Sequence, residues 1–374
     1  MSMSLKSLPA RAMLAAAALS LALTGCPGPD KGKGGGGKAQ PGKSGGGKTD
    51  GAAPQFKLAW SEYPSWSVFG VASELGIING KAGEMGELEK KHNVDVVLNL
   101  TDYDTCMTVY GASQTDAVCL TNMDILALSL GRPSVAIMPT STSKGADACI
   151  VSKDIKSVKD LKGKKVYGLE KSVSEYTFVR NLELLGEKEG DYSFTMQQPD
   201  AAAQAMQQKK ESHQAIVVWN PFVLSVLESR DDVHVLFDSS KIPGEIVDMV
   251  FMGADSLKKP GGDRFAKCIA EAFYAVSKRI EDAKTRKDTL VALGEKFSNL
   301  SAEKMETVVK QTVFYKTPDA GAAHVKSDEF KKTMERVVEF CVSHEMVKKK
   351  PKLVYGTEGE AAVRFDPSFM EAVK

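Results

Sequence analysis

Three tryptophans serve the whole 374-residue chain, and each stands among hydroxyl, amide or carboxylate side chains. Trp60 and Trp66 bracket the run Trp60-Ser61-Glu62-Tyr63-Pro64-Ser65-Trp66, and Trp219 heads Trp219-Asn220-Pro221. Tyr103 and Asp104 lie in Thr101-Asp102-Tyr103-Asp104-Thr105, and Asn122 and Asp124 in Thr121-Asn122-Met123-Asp124. Aromatic faces offer a planar or amine-bearing organic solute a surface to stack on, while neighbouring hydroxyls, amides and carboxylates orient it. Thr142, Ser172, Ser174, Glu175 and Asn220 complete the candidate binding set. Ser172-Val173-Ser174-Glu175 also reads as a capping box, which sets a carboxylate at a helix N-terminus where an anion would otherwise sit. No arginine lies in these loops, and Lys144 and Lys171 are the nearest bases. That balance favours a neutral heterocycle or an amine over a simple oxyanion. An amine bound here would lean on Asp124.

The residue types that catalysis needs are scattered. Histidines 92, 213, 234, 324 and 344 share no metal-ligand spacing, and neither a C-x-x-C nor a G-x-S-x-G motif occurs. Beyond Cys26 there are five cysteines (106, 119, 149, 268 and 341), an odd number that leaves at least one thiol unpaired. Gly42 through Thr49 satisfies the P-loop pattern, as does Gly37 through Ser44. A phosphate cradle requires a strand before it and a helix after it, and these matches lie in a Gly/Lys tract that supplies neither. The residues therefore predict a noncatalytic protein with no cofactor and no metal.

Alternating short β-rich and helical runs must position the candidate residues. Strands are expected at Phe56–Trp60, Val94–Asn99, Asp116–Leu120, Ser134–Met138, Ala148–Val151, Lys165–Gly168, Tyr192–Met196, Ala215–Val218 and Val233–Phe237. Helices between them include Val68–Leu75, Ala82–Lys91, Thr105–Ala112, Glu175–Leu185 and Ala201–Lys209. Such alternation makes parallel sheets, with ligands bound beyond the carboxyl ends of the strands. After Asp255 the pattern turns helical, through Phe265–Ala283, Thr289–Lys296, Ala302–Thr312 and Glu329–Lys348. The expected architecture is two α/β lobes: 55–145 opens lobe 1, 146–250 forms lobe 2, and 251–374 returns to lobe 1, mostly as helix. Thr140–Asp147 and Pro243–Val250 are the two expected crossings, a two-segment hinge that would let a cleft close.

The N-terminal residues belong to none of this. Residues 1–25 combine Lys6 and Arg11 with the apolar run Ala12–Leu23, the pattern of an export signal and too short for a permanent span. Leu23-Thr24-Gly25-Cys26 resembles a bacterial lipobox, so Cys26 is expected to be acylated and to anchor the chain outside the cytoplasmic membrane. Residues 27–54 hold 11 glycines and five lysines and read as a flexible tether reaching about 30 Å. The formal net charge of +1 thus averages unlike segments, because residues 55–374 carry 42 bases against 46 acids. A mildly acidic body gives no footprint for nucleic acid.

Taken together, these residues resemble the periplasmic solute-binding proteins of nitrate/sulfonate/taurine-type ABC importers, a group that includes binders of thiamine-pyrimidine precursors. The resemblance covers roughly residues 56–255 and is carried by Trp60–Trp66, by Cys119-Leu120-Thr121-Asn122-Met123-Asp124, and most specifically by Ile155-Lys156-Ser157-Val158-Lys159-Asp160-Leu161-Lys162-Gly163-Lys164-Lys165-Val166. Lys171–Tyr176 and Val217–Pro221 stand where that family places ligand contacts, although Lys171-Ser172 replaces a frequent Gly-Ser pair. The resemblance implies a type II periplasmic-binding-protein fold and a monomer that captures a small organic solute for a membrane permease. The candidate solutes are an amine, a pyrimidine-like heterocycle, a sulfonate or nitrate. Two other readings remain open: a tethered sensor domain without transport, and an enzyme like the thiamine-pyrimidine synthases that share this fold.

Overall fold

The computed structural model describes residues 52–373. The expected export signal, Cys26, the tether as far as Gly51 and both P-loop matches lie outside these residues. From Gln55 onward the chain lays down β1 (Gln55–Trp60), β2 (Asp95–Leu100), β3 (Ala117–Thr121) and β4 (Ser134–Ser143) in one sheet. It then crosses to a second sheet made of β5 (Asp147–Ser152), β6 (Lys165–Gly168), β7 (Ser193–Met196), β8 (Ala215–Trp219) and β9 (Val233–Asp238). It returns to the first sheet as β10 (Val247–Gly253), which β11 (Thr312–Phe314), β12 (Leu353–Tyr355) and β13 (Val363–Phe365) later extend. The result is two α/β lobes joined by a two-segment hinge, with a helical C-terminal region packed on the first.

The strand orders are β12-β13-β4-β10-β3-β1-β2, with β11 on the far end of β4, and β7-β6-β8-β5-β9. In each sheet the strand that arrives directly from the other lobe inserts antiparallel: β10 between β3 and β4, and β5 between β8 and β9. The carboxyl ends of the parallel strands therefore meet the amino ends of β5 and β10 at one edge of each lobe, and those edges face each other.

The central strands β3, β10, β5 and β8 are buried on both faces, which explains their nearly unbroken apolar runs. In lobe 2, Ala148, Ile150, Ile216 and Val218 pack beneath the helices Pro199–Gln207 and Phe222–Ser229. The alternating Cys149, Val151, Ala215 and Val217 point the other way, into the main core. The long helix Gly262–Glu281 buries Phe265, Ile269, Phe273 and Val276 against lobe 1. The five cysteines among the described residues are all free and buried, and no described helix is long and apolar enough to cross a membrane.

Several elements differ from the sequence expectation. The helix expected over Ala82–Lys91 begins only at Glu87, because Gly83 takes a left-handed φ of +81° and Gly86 is the N-cap. Glu89 is buried there and accepts from the Gly86 and Val96 amides, so its carboxylate pins the turn rather than facing solvent. The helix expected to reach Lys348 ends at Ser343, with Glu345 left-handed just beyond it. The helix Pro318–Lys326 and the three-residue strands β11–β13 carry too few periodic residues to be legible.

Candidate functional site

Each candidate residue is positioned by the end of an element. Trp60 closes β1, Trp66 is the N-cap of the helix Ser67–Glu74, Tyr103 opens the helix Tyr103–Gly111, and Trp219 closes β8. The interlobe cleft, which Trp66, Tyr103 and Trp219 border, has two parts. An outer cleft of about 700 Å³ is lined from lobe 1 by Ser61, Glu62, Asp102 and Asp104, and from lobe 2 by Gln198, Asp200 and Phe222. Beneath it lies an inner chamber of about 20 Å³, room for roughly one water. Tyr63, Trp66, Tyr103, Thr121, Asp147, Val173, Trp219, Ile246 and Asp248 enclose it.

Tyr103 and Trp219 line both parts, so this pair separates them. Their ring centroids are 5.9 Å apart at 62°, an edge-on contact made across the two lobes. Behind them Trp66 lies parallel to Tyr103, with centroids 5.8 Å apart and planes 4° from parallel, and Tyr63 sits 5.0 Å from Trp66. Polar contacts also bridge the lobes: Gln198 Nε2 donates to Asp104 Oδ2 at 2.6 Å, and Asn220 Nδ2 donates to Gln311 Oε1 at 2.9 Å.

The chamber floor is acidic. Asp147 is the first residue of β5 and pairs in register with Trp219, while Asp248 on β10 lies between Thr121 of β3 and Ser141 of β4. Ser143 Oγ donates to Asp147 at 2.5 Å, and Ser141 Oγ donates to Asp248 at 2.5 Å. One layer out, Asp124 accepts from the Tyr103 hydroxyl at 2.6 Å and from Thr121 Oγ1 at 2.8 Å. Among the described residues none of these three carboxylates is paired with a base. Burial raises Asp124 to about 6 against the opposing bonds from Tyr103 and Thr121, and raises Asp147 to about 7 against the bond from Ser143. Burial, with the charge of Asp147 added, drives Asp248 well above the carboxylate range. Tyr63, 4% exposed, has its hydroxyl pushed up by burial and then by the Asp248 and Asp147 charges. That hydroxyl lies near Asp248, Ser143 and Thr312 but completes no hydrogen bond of ordinary geometry. Trp66 Nε1 is likewise buried without a partner.

The hinge frames this floor. The chain crosses between β4 and β5 through residues 144–146, where Gly145 has a φ of +98° that a side chain would strain. It returns between β9 and β10 through residues 239–246. Ser239 Oγ lies 2.7 Å from Ser143 Oγ and accepts from the Gly145 amide at 2.7 Å, which ties the two segments together. Glu245 in the return segment accepts from Tyr176 and from Arg180 of lobe 2, and from Arg336 of the C-terminal region. Burial pushes its carboxyl up, but the bond and charge of Arg180 outweigh that and hold it below the usual range.

Of the candidate residues, the structure brings Tyr63, Trp66, Tyr103 and Trp219 together at the chamber and Asp104 at the outer cleft. Trp60 is buried beside Gly70, where the absent Cβ leaves room for its ring. Asn122 accepts from the Val247 amide and donates to the Glu245 carbonyl, so it fastens β3 to the returning chain. Thr142 donates to the Ile246 carbonyl. Ser172 caps its helix by accepting from the Ser174 amide, and Glu175 accepts from the Lys171 amide. Ser174 keeps a buried, unpartnered hydroxyl, as does Asn220 its side-chain oxygen. Asp124 positions Tyr103 and lines neither part of the cleft. Sequence reasoning missed Asp147 and Asp248 as site residues, although each is a lone carboxylate beside an apolar run at a crossing, and that was the available signal.

No protein-family model matches the sequence, and no curated protein matches it. Solved structures do resemble the fold. The periplasmic aliphatic sulphonate binding protein SsuA of Escherichia coli superposes with a TM-score of 0.62 at 18% identity, over 79% of this chain and 89% of that one. The alkanesulfonate-binding protein SsuA of Xanthomonas axonopodis pv. citri, bound to MOPS, gives 0.63 at 12% identity, over 81% and 96%. A ligand-binding component of an ABC-type import system from Staphylococcus aureus, with zinc bound, gives 0.60 at 9% identity, over 86% and 99%. The chain has the type II periplasmic-binding-protein fold that these structures share.

Proposed function

We propose that this protein is an extracytoplasmic, lipid-anchored solute-binding component of an ABC importer, which encloses a small organic molecule between its lobes and presents it to a permease. The observation that carries the reading is the aromatic partition, in which Tyr103 of one lobe and Trp219 of the other meet edge-on above a buried chamber. A wall completed only when both lobes are together gives a solute a binding energy that depends on closure. In this reading lobe 1 comprises residues 55–145 and 251–374, lobe 2 comprises residues 146–250, and the protein acts as a noncatalytic monomer. Resemblance to importer components of known structure supports the same assignment.

The test is a thermal-shift and small-angle-scattering screen of the purified protein against amines, pyrimidines, sulfonates and nitrate. One class should raise the melting temperature, by about 2.7 kcal/mol of stabilisation at a hundredfold excess over Kd, and reduce the radius of gyration. Trp219→Ala should abolish both effects. A solute that stabilises the protein equally with Trp219 removed places its site elsewhere and defeats the reading.

A further inference from the structure

We propose that the inner chamber recognises a positively charged organic nitrogen, with Asp147 and Asp248 as its counter-ions and the rings of Tyr63, Trp66, Tyr103 and Trp219 as its walls. The inference rests on the solute-binding reading above and names the ligand's chemistry.

Four observations converge on it. First, the two parts of the cleft are lined by six acidic residues (Glu62, Asp102, Asp104, Asp147, Asp200 and Asp248) and, among the described residues, by no lysine, arginine or histidine. Second, Asp147 and Asp248 are 3% and 2% exposed and hold only serine hydroxyls, so each keeps acceptor capacity that no base in the protein uses. A buried carboxylate without a cation is costly, and a ligand cation relieves that cost where a second anion would deepen it. Third, the Tyr63 hydroxyl lines the same chamber, buried and unpartnered. It is close enough to feel both carboxylates, and it offers a cation a further oxygen. Fourth, the rings of Tyr63, Trp66, Tyr103 and Trp219 all line the chamber, and aromatic π-systems attract ammonium groups.

The helix-terminal amides an oxyanion would need are already engaged, which leaves Trp66 Nε1 and the Tyr63 hydroxyl as the free donors of the chamber. Asp102 accepts from the Thr105 amide at the start of one cleft helix, and Thr121 Oγ1 accepts from the Asp124 amide at the start of another. The Trp66 and Ser67 amides both bond the Tyr63 carbonyl, and the Ser174 amide bonds Ser172 Oγ. A sulfonate or phosphate would find those two donors but no free helix amide and no base, and would face the carboxylates of Asp147 and Asp248. With the lobes as they stand the chamber has room for about one water, so an organic cation occupies it only with Trp219 moved off with lobe 2 about the hinge.

Isothermal titration and tryptophan fluorescence with choline, ethanolamine and putrescine as cations, ethanesulfonate as anion and cytosine as neutral probe test the assignment. At least one cation should bind saturably and change the fluorescence, with ethanesulfonate silent. The D147N/D248N double variant should weaken that cation at least tenfold while melting no lower than the wild type, and Trp66→Ala should weaken it likewise. Binding of ethanesulfonate or cytosine with undiminished affinity in D147N/D248N overturns the cation assignment and leaves the solute-binding reading standing. Cation binding that D147N/D248N does not change also overturns it. If no probe of any charge binds, the assignment falls, and the screen of other solute classes then decides the broader reading by itself.

Discussion

Asp147 and Asp248 are the residues at which stability and binding oppose each other. Burial holds both above their unfolded values, Asp147 at about 7, with the charges of Asp124 and Asp238 adding to the rise of Asp147 and the charge of Asp147 to that of Asp248. A carboxyl raised on folding contributes stability below its unfolded value near 3.8, and that contribution is lost as pH climbs through its folded value. The groups acting on this pair are Asp124, Asp238 and Tyr63, with Ser141 and Ser143 as hydrogen-bond donors, and none supplies a positive charge. Melting of the protein without solute should therefore fall by several degrees between pH 5 and pH 8. Asp147→Asn should flatten that slope and melt higher than the wild type at pH 8. Scanning calorimetry across the range reads it, and a wild-type profile that rises toward pH 8 and coincides with that of the variant would sink the idea. Asp124, by contrast, works through Tyr103, whose ring it fixes by accepting the hydroxyl bond. An asparagine there can still accept that bond, so affinity should depend far less on Asp124 than a reading of the sequence suggests.

The hinge segment 239–246 is the element on which the proposed closure would turn. It bears one buried charge, and Glu245 joins Tyr176 and Arg180 of lobe 2 to Arg336 of the C-terminal region. Removing one member of a buried ionic cluster leaves the others desolvated and unpaired, so Glu245→Ala should cost about 3 kcal/mol in urea unfolding. Glu245→Gln, which preserves the shape, should cost less. Because the folded value of Glu245 is held low, its contribution is present at neutral pH and lost on acidification, the opposite sense to Asp147. Equal stability of Glu245→Ala and wild type at pH 7 would show that Arg180 and Arg336 are satisfied without it.

At the scale of the whole molecule, a body of 42 bases and 46 acids lines its cleft with six acidic residues and, among the described residues, no base. The basic residues of the tether belong to the membrane side of the proposal, where anionic headgroups attract lysines. Acylation at Cys26 would hold the body within about 30 Å of the bilayer. Full-length protein should accordingly sediment with membranes, and Cys26→Ala should move it to the soluble fraction. Continued sedimentation of that variant after a high-salt wash would rule out the lipid anchor.

The sequence by itself determined what local chemistry controls. Alternating β-rich and helical runs marked eight strands of the two sheets to within a residue, because a buried strand must be apolar along its length and a turn must break it. In contrast, β4 runs on past the expected Met138 to Ser143 through polar residues that the pattern reads as a crossing. The crossings were legible in place but not in extent, since the expected Thr140–Asp147 narrows to residues 144–146 between β4 and β5, and the expected Pro243–Val250 shifts to residues 239–246 before β10. Of the aromatic set, Trp66, Tyr103 and Trp219 each sit beside an element end. Tertiary structure alone decided which of these side chains meet. Asp147 and Asp248 are about a hundred residues apart, and they share a floor because β5 and β10 each insert antiparallel into the lobe they enter. Ser172, Glu175 and Asn122 look like ligand contacts by position, but backbone amides and carbonyls reach them first. A side chain's partners are settled by which strands lie side by side, and that pairing comes from burying the core as a whole.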